Sequence, residues 1–146
     1  MADGETNNQG HPDDPKAWLK RYTAAGWIER SLRELAVAEQ AFKDRQPSAA
    51  AAAMKRAAGM ALNGALSVVP REEWGRSYVE HLKALLEDPA APKAVTEAAR
   101  VILDFTPQPG AIVFLRSPGK DSQLLEATRT VMAHAYAVVN GNVGRV

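Results

Sequence analysis

The sequence predicts an all-α fold, an antiparallel bundle of four to five helices, and three observations carry that expectation. Apolar residues recur at helical spacing through several long segments. Prolines, or Asn140-Gly141, close each of those segments. A single short apolar run, Ala111 to Leu115, has strand character, so a sheet would have no second strand.

Residues 1–14 are polar, rich in Gly and Asn, and without apolar periodicity, so they read as a flexible N-terminal tail. Residues 15–146 read as one helical-bundle domain. Asp13 and Asp14 before Pro15 are a helix start, and a short helix to about Thr23 would present Trp18, Leu19 and Tyr22 on one face. From about Ala25 to Arg45, the apolar positions Trp27, Ile28, Leu32, Leu35, Ala38 and Phe42 make an amphipathic helix. Pro47 and Ser48 restart the chain for a second long helix to Val69, whose apolar face runs through Met54, Ala58, Ala61, Leu62, Ala65 and Leu66. Gly59 and Gly64 each cost that helix about 1 kcal/mol against alanine, so they call for a packing reason or mark bends. The GMALNG stretch around them is not a nucleotide loop, because no strand precedes it.

Pro70 ends the second helix, and Glu72 to Glu87 forms a third with Trp74, Val79, Leu82, Leu85 and Leu86 apolar. Asp88-Pro89 ends that one, and a fourth runs from Pro92 to about Phe105 through Val95, Ala98, Ala99, Val101 and Ile102. The Pro/Gly-rich stretch from Thr106 to Lys120 is the main irregular region. Asp121 or Ser122 caps the last helix, which continues to about Asn140.

Composition bounds the function. The chain of 146 residues is 46% apolar and 24% charged, as ordinary globular proteins are. With no cysteine and three scattered histidines, His11, His81 and His134, neither a disulfide framework nor a thiolate zinc site is available. No metal and no cofactor is implied. The N-terminus has no basic and apolar leader pattern, and no run approaches the roughly 18 apolar residues of a membrane span, so a cytoplasmic protein without membrane contact is expected. Residues 1–14 carry four acids and no Lys or Arg, leaving 18 basic against 13 acidic residues in the rest. That mild basic excess permits RNA contact without the clustered stripe of a dedicated binder.

The octet from Arg129 to Tyr136 is where groups capable of chemistry sit closest: a fixed cation at Arg129, a proton carrier at His134 and a phenol at Tyr136. At about 100° per residue, Arg129 and Tyr136 fall about 20° apart while His134 lies roughly 140° from Arg129. One straight helix therefore cannot converge all three. Either two-fold pairing of protomers through this helix, or a helix starting as late as Thr128, would bring them together. His81, beside Glu80, reads as a surface residue; Trp18, Trp27 and Trp74 read as core. Arg71, Arg76 and Arg116 are possible RNA contacts, and Lys55 and Arg56 beside Gly59 a possible phosphate site.

The first two long helices, GWIERSLRELAVAEQAFKDRQPSAAAAAMKRAAGMALNGALSV, resemble the opening of a HEPN domain, the helical nucleotide-binding bundle of higher eukaryotes and prokaryotes. The likeness lies in a tryptophan-led first helix, a short break, and an alanine-rich second helix with close contacts at Ala57, Ala58, Ala61 and Ala65. It spans residues 27–140. Catalytic HEPN proteins carry Arg-x4-6-His, which Arg129 and His134 match, and the toxins paired with nucleotidyltransferase antitoxins carry Arg-x4-His-x-Tyr, which Tyr136 completes. The resemblance implies metal-independent RNA cleavage by a homodimer, with Arg129 and His134 catalytic and Tyr136 orienting a phosphate or receiving the antitoxin's modification. Thr130 stands where that family usually has a polar Asn, Asp or His. HEPN proteins without the catalytic motif carry Arg-Tyr-Pro before the last helix, and Leu115-Arg116-Ser117-Pro118 is similar to it but lacks the tyrosine. That version implies a non-catalytic module binding a nucleotide, a small ligand or a protein partner.

Overall fold

A computed structural model describes residues 17–106 and 118–141. Among the described residues the chain is all-α, with five helices: α1 (Ala24–Lys43), α2 (Pro47–Val68), α3 (Tyr78–Leu86), α4 (Lys93–Asp104) and α5 (Pro118–Val139). Two short 3₁₀ turns, Ala17–Arg21 and Glu72–Trp74, precede α1 and α3. Asp13, Asp14, the Ala111–Leu115 run and Arg116 lie outside the described residues.

Local chemistry sets the helix ends. Thr23 caps α1, its hydroxyl accepting from the Gly26 amide at 2.9 Å. Pro47 opens α2 at a position where its missing N–H costs nothing. Ser77 and Glu80 form a reciprocal capping box on α3. That helix starts six residues later than the periodicity predicts, because Glu72–Trp74 closes as a 3₁₀ turn and Gly75 breaks it with a φ of 73°. Conversely, α5 starts at Pro118 and not at Asp121, since proline suits a first turn.

Helix α2 is the axis of the bundle: it packs against α1, α3, α4 and α5 and against the first 3₁₀ turn. Small side chains make this possible. Ala50, Ala53, Ala57, Ala58 and Ala61 are all fully buried, so burial extends around α2 well beyond the single face its periodicity gave. Gly64 faces α1, where a Cβ would stand 3.0 Å from the Ala24 carbonyl oxygen. Gly59 lies beneath the Tyr78 ring, where a Cβ would come within 2.2 Å of its carbons. Both glycines thus have the packing reason that their helix cost demanded. The Glu34–Arg56 ion pair and the Ala24–Gly64 approach fix α1 and α2 as antiparallel neighbours.

Two expected placements fail, one in the core and one on the surface. Leu32 is exposed, because the buried stripe of α1 passes through Ser31 instead, whose hydroxyl donates to the Ile28 carbonyl at 2.6 Å and so tolerates burial. His81 is wholly buried. It shares the inner face of α3 with Leu82 and Leu85, while its neighbour Glu80 points outward to cap the helix. Trp27 and Trp74 are core, as expected, and Trp18 is half-buried with its ring stacked on His81 at 5.9 Å.

Candidate functional site

The last helix carries Arg129, His134 and Tyr136, and each has different surroundings in the bundle. Arg129 reaches α1: its guanidinium donates to the Glu39 carboxylate and lies 3.6 Å from Glu126, one turn back. Tyr136 is exposed. Because α5 begins at Pro118, Arg129 sits well inside a continuous helix and cannot swing over its N-terminus. Within one chain, therefore, Arg129 and His134 do not meet.

His134 meets other residues. It lines a cavity of about 460 Å³ whose wall is apolar at Leu62, Leu66, Val69 and Val138 and polar at Arg71 and Asp88. Arg71 donates from Nη1 to Asp88 Oδ2 at 3.2 Å, and its guanidinium also lies over the Trp74 ring, 5.2 Å from the centroid. Asp88 is itself held, since its other oxygen accepts from the Ala90 amide at 3.0 Å. An arginine fixed by a carboxylate on one edge and a ring on one face keeps its remaining N–H groups oriented.

The imidazole of His134 is held below the usual histidine range. Burial is the main cause and the Arg71 cation adds to it, while Asp88 pulls the other way. At neutral pH it is an uncharged ring with one donor and one acceptor nitrogen, beside a fixed cation. Chemically, the site offers an anion ligand at Arg71, a proton acceptor at His134 and an apolar wall for a ring or aliphatic group.

Arg71 was legible as a candidate, whereas Asp88 reads in the sequence only as a helix terminator. The two residues stand on opposite ends of the 3₁₀ turn and α3 together, and only the chain reversal through those elements joins them. Arg76 does not line this cavity; it borders a cleft with Trp18 and Asn63 and shares a smaller pocket with Leu66, Arg71 and Glu72. Lys55 and Arg56 form no phosphate site as a pair, because Arg56 is bound to Glu34 at 2.8 Å.

Among the described residues, no three His, Asp or Glu side chains gather as metal ligands, and no helix is long and apolar enough to cross a membrane. No family model, curated protein or solved structure matches this chain.

Proposed function

We propose that this chain is a HEPN-like helical-bundle module that binds RNA or a nucleotide through the His134 cavity, with Arg71 taking a phosphate. The observation that carries this reading is the Arg71–Asp88 pair in the wall of a largely apolar cavity that His134, uncharged at neutral pH, also lines. Arg71 supplies charge-assisted hydrogen bonds to phosphate oxygens, His134 hydrogen-bonds a ribose hydroxyl or base edge, and the Leu62–Leu66 wall receives the base. The mild basic excess of residues 15–146 permits a polyanionic partner.

A second reading, metal-independent RNA cleavage, is favoured by the neutral state of His134, which is the form a general base requires. In that reaction His134 takes the proton of a ribose 2′-hydroxyl, the 2′-oxygen bonds to phosphorus, and the 5′-oxygen leaves and is protonated, giving a 2′,3′-cyclic phosphate. Pairing with Arg129 of a second protomer, as the toxin-type resemblance implies, requires Arg129 to leave Glu39. Exposed pairs of that kind are weak enough to exchange. Tyr136 is exposed and open to the modification that a nucleotidyltransferase antitoxin would make.

The test is fluorescence anisotropy with a labelled single-stranded RNA in EDTA, read together with RNA integrity on a gel. Arg71→Gln and His134→Ala are expected to weaken binding at least about tenfold, a loss of ~1.4 kcal/mol. Equal binding by wild type and both variants removes the proposal. Cut RNA that depends on His134 selects the second reading, and intact RNA selects the first.

A further inference from the structure

A second concavity, of about 770 Å³, opens between the first 3₁₀ turn and the start of α3, with α2 as its floor. Trp18, Arg21, Asn63, Arg76, Ser77 and Tyr78 line it, and no Asp or Glu does among the described residues. Two cations therefore face one cleft. Arg21 lies over the Tyr22 ring and Arg76 over the Trp18 ring, each 5.4 Å from the centroid, and neither pairs with a carboxylate among the described residues. Stacking occupies a guanidinium's face and leaves its N–H edge available. The nearest acid on α3, Glu80, is engaged with the Arg76 and Ser77 amides at 3.3 and 3.0 Å. Tyr78 keeps its phenolic proton, because burial first and Glu34 second hold its pKa up, so it remains a donor.

The floor adds a directional group. Asn63 is buried, and its carboxamide comes within 2.8 Å of His81 Nε2, while His81 Nδ1 lies 3.0 Å from the Trp74 carbonyl oxygen. A carbonyl only accepts, so Nδ1 carries the proton. Burial pushes the His81 pKa down, which leaves Nε2 as a bare acceptor. An amide oxygen placed against that lone pair would be repelled. The two ends of a carboxamide are alike in shape, and half a turn puts the Asn63 NH₂ on Nε2 and its oxygen on the cleft side. The buried histidine thus fixes an acceptor at the bottom of a cleft whose rim carries two cations.

We infer that this cleft is a second binding site, distinct from the His134 cavity, for an organic phosphomonoester of nucleotide size. Arg21 and Arg76 take the phosphate, Ser77 and Tyr78 donate to it or to the sugar, and Asn63 accepts from an N–H or O–H of the organic part. Its volume suits one such molecule. The inference does not rest on the reading of the His134 cavity.

Trp18, Trp27 and Asn63 border this cleft while Trp74 lines the His134 cavity, so the Trp18 indole and Asn63 carboxamide NMR signals report binding here. Titration of the full chain with AMP is expected to give a saturable change, with adenosine and inorganic phosphate each at least tenfold weaker than AMP. The double variant Arg21→Gln, Arg76→Gln is expected to weaken AMP at least tenfold with an unchanged thermal melt, and Arg100→Gln, an exposed α4 cation outside the cleft, to leave AMP binding within twofold of wild type. Should the double variant not fold, the Trp18 indole and Asn63 carboxamide NMR signals of the wild type are expected to shift on AMP addition. The inference is overturned by unsaturable AMP titration, by inorganic phosphate binding as tightly as AMP, or by the double variant binding AMP as tightly as the wild type does.

Discussion

Arg71 and Asp88, seventeen positions apart in sequence, close the gap between the two ends of α3 with a single 3.2 Å hydrogen bond, and His134 titrates between them. Their effects on the imidazole are opposite in sign. Asp88 stabilises the imidazolium, so Asp88→Asn lowers the His134 pKa further; Arg71 opposes it, so Arg71→Gln raises that pKa. NMR titration of the His134 ring proton resonances checks both directions, and shifts of the same sign would break the assignment.

Replacing Arg129 separates fold from function. Its pairs with Glu39 and Glu126 are exposed, so Arg129→Ala is expected to cost under about 1 kcal/mol in urea denaturation. RNA or nucleotide binding at the His134 cavity is expected to persist in this variant. A variant that binds RNA normally but no longer cuts it would instead place Arg129 in a composite site between protomers.

Gly59→Ala sets helix propensity against sterics. Alanine gains about 1 kcal/mol in a helix interior. The new Cβ, however, falls within 2.4 Å of both the Tyr78 ring and its own Cβ, the root of that side chain, which cannot simply rotate away. Overpacking of this kind costs about 1–3 kcal/mol, so the net expectation is a lower melting temperature. A melting temperature equal to or above the wild type's would refute the close α2–α3 contact.

Stability should also fall on mild acidification. His81 and His134 both have pKa values depressed in the fold, chiefly by burial. Below about pH 6.5 the unfolded chain binds protons that the folded one refuses, so the free energy of unfolding falls as pH drops until the folded histidines titrate too. Thermal melts between pH 7.5 and 5.5 should show this decline, and His81→Gln should flatten it. An identical slope in that variant would mean that His81 titrates alike in the folded and unfolded chain, and a steeper one that it is already charged in the fold.

The helices were legible because four of the five are followed by chemistry that the sequence displays: Pro47 after α1, Pro70 after α2, Asp88-Pro89 after α3 and Asn140 after α5. What escaped was set by neighbours distant in sequence. Leu32 and Ser31 exchanged places because which flank of α1 meets α2 depends on where Gly64 allows close approach. Adjacency to Glu80 gives His81 the look of a surface group, although its spacing to Leu82 and Leu85 marks the inner face. At the site, the divergence of Arg129 from His134 followed from helix geometry alone. That His134 finds Arg71 and Asp88 did not, since no local pattern records which loops a helix will face.

The Tyr78 ring seated on the bare backbone at Gly59 works as a locating pin. Helix α3 carries the loops bearing Arg71 and Asp88 at its two ends, so its register along α2 sets where both groups arrive relative to His134. One missing side chain in the middle of α2 thereby calibrates the geometry of a cavity to which it contributes no atom.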